Sequence, residues 1–149
     1  MSEWTQGDYT ISTDRNRLNI EAVHHYLAEE SYWAKGRPWA VTQTVIEHSL
    51  CFGVYQNAEQ VGFARVITDY ATHAYISDVF IAPAHQGHGL GKWLMQCMMD
   101  APETANVYKW ALHTRDAHEL YTQYGFTTLS QPGAYMEIRR PPPWVTPQV

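Results

Sequence analysis

Cysteine is scarce in this chain. Cys51 and Cys97 are its two thiols, far apart, with no CxxC pair and no disulfide framework. A reducing cytoplasm is the expected location. Basic runs are missing too: 10 Lys and Arg stand against 15 Asp and Glu, a net charge of −5. Nucleic acid and anionic membranes are therefore not expected as partners. A mildly acidic protein leans weakly toward cationic amines. No apolar run approaches the ~20 residues that cross a bilayer. The start, Met1-Ser2-Glu3-Trp4, lacks the basic and apolar stretches of a signal peptide. Eight histidines are present but no His-Glu-x-x-His. His24 and His25 point different ways on a predicted helix, and His113 and His118 bracket a loop, so no metal site is expected.

What remains is a globular chain of 149 residues, 45% hydrophobic, which is one domain by size with enough apolar material for a core. Periodicity maps it. Short strands are predicted over Tyr9 to Ser12, Cys51 to Tyr55 and Val61 to Thr68, the last two as a hairpin. Further strands are predicted over Ala74 to Ile81 and Val107 to Leu112, with a final pair over Phe126 to Leu129 and Tyr135 to Arg139. Helices are predicted from Leu18 to about Glu30, Val41 to Ser49, Leu90 onward, and Asp116 to Tyr124. Leu90, Trp93, Leu94, Cys97 and Met98 follow the helical spacing i, i+3, i+4, i+7, i+8. Pro141-Pro142-Pro143 opens a tail, residues 141–149, expected to be a loose arm. This order implies an α/β (α+β) architecture, a mixed sheet flanked by helices.

The most informative stretch is Gln86-Gly87-His88-Gly89-Leu90-Gly91-Lys92, between a strand and a helix. Three alternate glycines let the backbone approach a ligand closely, and the helix start points N–H groups and its positive dipole end into the turn. Such a turn binds phosphate or pyrophosphate. A nucleotide P-loop is excluded because Trp93, not Ser or Thr, follows Lys92. A dinucleotide fingerprint fails on spacing and on the loop's late position. The pattern Gln86-x-x-Gly89-x-Gly91 instead resembles the loop of the GNAT superfamily of acyl-CoA-dependent N-acetyltransferases. Ala117-His118-Glu119-Leu120-Tyr121-Thr122-Gln123-Tyr124-Gly125-Phe126 is similar to that family's second motif, Ala-x-x-Leu-Tyr-x-x-x-Gly-Phe. The two occur in the family's order and separation, and the resemblance runs from about Tyr9 to Arg140.

The resemblance implies a GNAT-like fold whose central parallel strands splay, with acetyl-CoA as co-substrate and no metal. It implies that Val79, Phe80 and Ile81 pair with the pantetheine amides. Gln86, Gly87, His88, Gly89, Leu90, Gly91 and Lys92 then hold the pyrophosphate. Many members carry Arg where Gln86 stands, so one charge on that group is missing here. Tyr121 is implied to be the general acid at the departing thiolate, although helical spacing alone makes it a core residue. Thr114 occupies the place of a coenzyme A-contacting Asn, and Asp116 reads as a helix N-cap. The acceptor is expected near Tyr32 and Trp33, which read equally as a pocket wall or as lid residues. Alternation puts Arg65 and Asp69 on an apolar strand face. An unbulged register sets Arg65 opposite Asp78, as a structural ion pair or as a polar acceptor mouth. A paired Asp78 has a depressed pKa and is a poor base, so water is expected to take the proton while Asp78 or Asp69 orients the amine. The resulting expectation is direct acetyl transfer to a primary amine of a small molecule or protein, the alternative being a silent acyl-CoA-binding regulatory module. Open sheet edges and the aromatic tail are compatible with a homodimer.

Overall fold

The computed structural model describes residues 1–145. Six strands form one sheet in sequence order: β1 (Glu3–Gln6), β2 (Tyr9–Ser12), β3 (Leu50–Gln56), β4 (Glu59–Thr68), β5 (His73–Ile81) and β6 (Lys109–Leu112). Neighbours from β1 to β5 are antiparallel, and β5 and β6 run parallel. Helices α1 (Ile20–His25) and α2 (Trp39–Glu47) lie between β2 and β3. Helix α3 (Leu90–Asp100) connects β5 to β6, and a short α4 (His118–Thr122) follows β6.

Each face of the sheet has its own core. On one side Phe52, Val54, Ala64, Val66 and Ile76 pack against Leu94, Met95, Cys97 and Met98 of α3. Each fully buried side chain of this kind contributes roughly 1.5–3 kcal/mol. On the other side Val23, Leu27 and Ile46 meet Cys51, Phe63 and Phe80. β3 is therefore buried along nearly its whole length, and β4 from Val61 to Val66, with side chains packed on both faces.

Two irregularities position the site. α1 widens into a π-helical turn, Tyr26–Glu30, which lays Tyr26 flat on Phe80 with ring centroids 3.8 Å apart. The second is a bulge in β5. Phe63 pairs with Phe80 and Arg65 with Ser77, so Asp78 and Val79 stand opposite the single residue Ala64. Asp78 takes the left-handed conformation there, φ +53°. The unbulged register expected for Arg65 is thus corrected by one residue.

Other expectations also need correcting. β1 was not predicted, and the last two predicted strands do not form: residues 126–129 and 135–139 carry no strand structure. Tyr135, Met136 and Ile138 are instead exposed. The tail is not wholly loose, because half-buried Trp144 reaches within 4.0 Å of the position a side chain at Gly36 would take; the rest of it, 146–149, lies outside the described residues. Among the described residues, no helix is long and apolar enough to cross a membrane.

Candidate functional site

The β5–β6 ladder ends at the pair Ile76–Leu112, and beyond it the two strands part. On that edge the backbone of β5 from Ser77 to Ile81 has no ladder partner among the described residues. Two clefts open along it. One, of about 500 Å³, is bordered by Val79, Phe80 and Ile81 and by the turn from Gln86 to Lys92. The other, of about 300 Å³, lies between Tyr32, Trp33, Tyr75, Ser77, Thr114 and Asp116. Trp33, Val79, Ala117 and Tyr121 line both, so the clefts meet at those four residues.

The turn is built for an anion. Gly87 and Gly89 sit at φ +84° and +77°, and a Cβ on either would point into open space. Among the described residues no carbonyl or side chain accepts from the amides of Gly87, His88 or Gly89. The first three N–H groups of α3, on Leu90, Gly91 and Lys92, have no intrahelical acceptor by construction. Six amides thus converge on the end of an 11-residue helix. Tyr124 ties α4 to this turn, donating its hydroxyl to the Lys92 carbonyl at 2.7 Å. The side chains contribute less: Gln86 donates to the Ile81 carbonyl at 2.9 Å, and His88 Nδ1 lies 3.1 Å from the His85 carbonyl oxygen.

At the bulge, Asp78 is the hub of a buried polar cluster. Its side chain is 0% exposed, and Oδ2 receives Arg65 Nε at 2.6 Å and Arg37 at 2.8 Å. Oδ1 accepts the Trp33 indole N–H at 2.8 Å. Arg65 goes on to Ser49 and Ser77. Burial pushes the Asp78 carboxyl upward, but the hydrogen bonds and charges of Arg37 and Arg65 outweigh it and hold the group below the ordinary carboxylate range. It is ionised, saturated and unable to take a proton at neutral pH. The ion pair expected between Arg65 and Asp78 is present. Arg65 itself lines neither cleft.

Tyr121 projects from α4 to the junction, edge-on to Phe126 at 6.1 Å between centroids. Among the described residues its hydroxyl has no hydrogen-bond partner. Burial, with smaller contributions from Tyr32 and Asp116, raises its pKa, so it stays protonated well above neutrality.

Two residues singled out from sequence have other duties. Asp69 lies outside both clefts, where its carboxylate closes the β4–β5 turn by accepting from Ala71, Thr72 and His73. Thr114 borders the smaller cavity rather than the turn, and its hydroxyl, not Asp116, receives the Ala117 amide at 2.9 Å. Arg37, Tyr75 and Ser77 were not singled out. Alternation on β5 carried a signal for Tyr75 and Ser77, which share a face; nothing local marked Arg37 as a partner of Asp78. Among the described residues no three His, Cys, Asp or Glu side chains gather as metal ligands.

A parallel pair that parts beside a turn of free amides is an arrangement suited to an extended, phosphate-bearing ligand. The profile of the Acetyltransferase (GNAT) family matches residues 20–126. A Gibberella zeae protein assigned as an acetyltransferase is 35% identical over 117 residues, 66% of this chain and 66% of that one. An uncharacterized N-acetyltransferase of Porphyra purpurea is 30% identical over 80% of this chain and 70% of its own length. The crystal structure of a Xanthomonas campestris pv. campestris protein, assigned to the same family, superposes with a TM-score of 0.89 at 44% identity, covering 93% of this chain and 97% of that one. A Clostridium acetobutylicum relative, crystallised with acetyl-CoA, shares the fold at 13% identity with a TM-score of 0.62, covering 88% of this chain and 94% of that one. The chain belongs to the GNAT family of acetyltransferases, whose members transfer acyl groups from acetyl-CoA.

Proposed function

We propose that this chain is an N-acetyltransferase that binds acetyl-CoA in the larger cleft and a primary amine in the smaller one. The observation that carries the reading is the meeting of the two clefts at Trp33, Val79 and Tyr121. The amides of Gly87 to Lys92 hold the pyrophosphate, with Lys92 adding one positive charge and Gln86 none. Pantetheine lies along Val79, Phe80 and Ile81 as an added strand. Thr114 keeps its hydroxyl proton for a further hydrogen bond, since the Ala117 amide uses only its oxygen.

The amine nitrogen attacks the thioester carbonyl. A C–N bond forms, the C–S bond breaks, and the electron pair leaves on sulfur. Solvent first takes one proton from the ammonium to free the nitrogen lone pair, Tyr121 donates its hydroxyl hydrogen to the departing sulfur, and the second proton shed by the acylated nitrogen restores the Tyr121 hydroxyl through solvent. Asp78 is not the base; it fixes Trp33 at the junction, so with Arg37 and Arg65 it acts as a positioning group. A covalent acyl-enzyme has no support in either thiol. Burial raises Cys51 to about 11 and Cys97 to about 12, which keeps both as unreactive thiols.

Replacing Tyr121 by Phe tests the assignment. It is expected to lower kcat by ~10²-fold or more while the Kd for acetyl-CoA stays within about twofold. Unchanged kcat removes Tyr121 from the mechanism.

A further inference from the structure

The smaller cavity carries a chemical bias that the acetyl-transfer reading, on which this inference rests, does not require. Four aromatic rings border it: Tyr32, Trp33, Tyr75 and Tyr121. Between them lie the apolar side chains of Ile76, Val79 and Leu112. No lysine or arginine is among its lining residues. Of the nearby cations, Arg115 stands at the rim against two of the lining residues, and the others are paired away from it. Arg115 lies over the Tyr32 ring, 3.8 Å from the centroid, and pairs with Asp116 at 3.7 Å. Arg139 pairs with Glu137 at 3.3 Å. Behind the cavity, Arg37 and Arg65 are committed to Asp78.

A carboxylate or phosphate brought into this space meets four ring faces and no lysine or arginine on the walls, with His113 as the basic lining residue and Arg115 at the rim, and is less well served there than in water. An ammonium group fares differently. Ring faces attract it, and Asp116, shared with Arg115, lies on the wall. Size narrows the choice further. A cavity of about 300 Å³ holds on the order of ten non-hydrogen atoms at the ~30 Å³ that liquid water gives each molecule.

We propose that the acceptor is a small primary amine with an aromatic or apolar body and no anionic group. Its ring or chain stacks between Tyr32 and Tyr75, and its nitrogen points past Trp33 toward the junction with the cofactor cleft. Free amino acids and amino-sugar phosphates are disfavoured by the same walls.

Three amines that differ in charge at one position test this: 2-phenylethylamine, phenylalaninamide and phenylalanine, assayed by thiol release from acetyl-CoA. Both uncharged-body amines are expected to be used, and phenylalanine to show kcat/KM at least tenfold below phenylalaninamide. Tyr32→Ala, at an exposed position that the fold tolerates, is expected to raise KM for 2-phenylethylamine about tenfold without changing the Kd for acetyl-CoA. A thermal-shift titration with acetyl-CoA separates the two levels. No stabilisation overturns the acetyl-transfer reading and this inference together. Stabilisation followed by equal or better use of phenylalanine overturns the inference alone. So does preferred turnover of a peptide amino terminus or of glucosamine 6-phosphate, or turnover of no amine in the set.

Discussion

Asp78 shows how one residue is held in a conformation its side chain disfavours. A non-glycine residue in the left-handed region is costly by about 1–3 kcal/mol. Here two guanidiniums and an indole N–H converge on the carboxylate and over-determine the backbone. Removing the charge strands two buried arginines, so Asp78→Asn is expected to destabilise the fold by roughly 3–5 kcal/mol, measurable by chemical denaturation. The same pairing sets a pH dependence. The folded-state pKa is depressed, so the stabilisation is complete above the unfolded value of ~3.9 and is lost as pH falls through the lower folded value. Acid unfolding monitored from pH 6 to pH 2 is expected to steepen below about pH 4 in the wild type, and Asp78→Asn to lack that component. Folded Asp78→Asn is also expected to retain the acid-side, ascending limb of its pH–rate profile; loss of that limb would make Asp78 the base.

At the scale of elements, the turn before α3 carries the cofactor assignment. Gly89 caps the helix at φ +77°. Gly89→Ala forces a Cβ into the left-handed region at about 1–2 kcal/mol and into the space the pyrophosphate needs. The Kd for coenzyme A is expected to rise at least tenfold while the enzyme stays folded; an unchanged Kd would remove the turn from the binding site. This turn was legible in the sequence because its chemistry is local: glycines, a helix start and an amphipathic helix fall within one stretch. The β3–β4 hairpin was legible for the same reason. The bulge at Asp78 was not, since it exists only in the pairing of β4 with β5. β1 escaped notice because its four residues are mostly exposed and alternate weakly. The segments 126–129 and 135–139 have the alternation of strands, yet no ladder accepts them among the described residues. Alternation records a capacity to pair, and the partner is supplied by tertiary structure.

Across the whole molecule, the site is assembled from parts distant in sequence. Tyr32 and Trp33 come from the connection between α1 and α2, Val79 from β5, the amides from the turn before α3, and Tyr121 from α4. The order of elements and two motifs were enough to locate the larger cleft and Tyr121 from sequence. The walls of the smaller cavity were only partly legible, because Tyr75 and Ser77 join it through packing between elements, as Arg37 joins Asp78 behind it. A ligand that bridges these elements stabilises them together. Acetyl-CoA at 100 times its Kd is expected to add ~2.7 kcal/mol, roughly 5–10 °C in Tm for a chain of this size.

The most direct measurement is a calorimetric titration of acetyl-CoA into the wild-type protein. One molecule is expected to bind per chain, with binding weakened by added salt because the pyrophosphate is held partly through charge. An absence of binding heat at several temperatures, with no shift in Tm, would contradict the cofactor assignment.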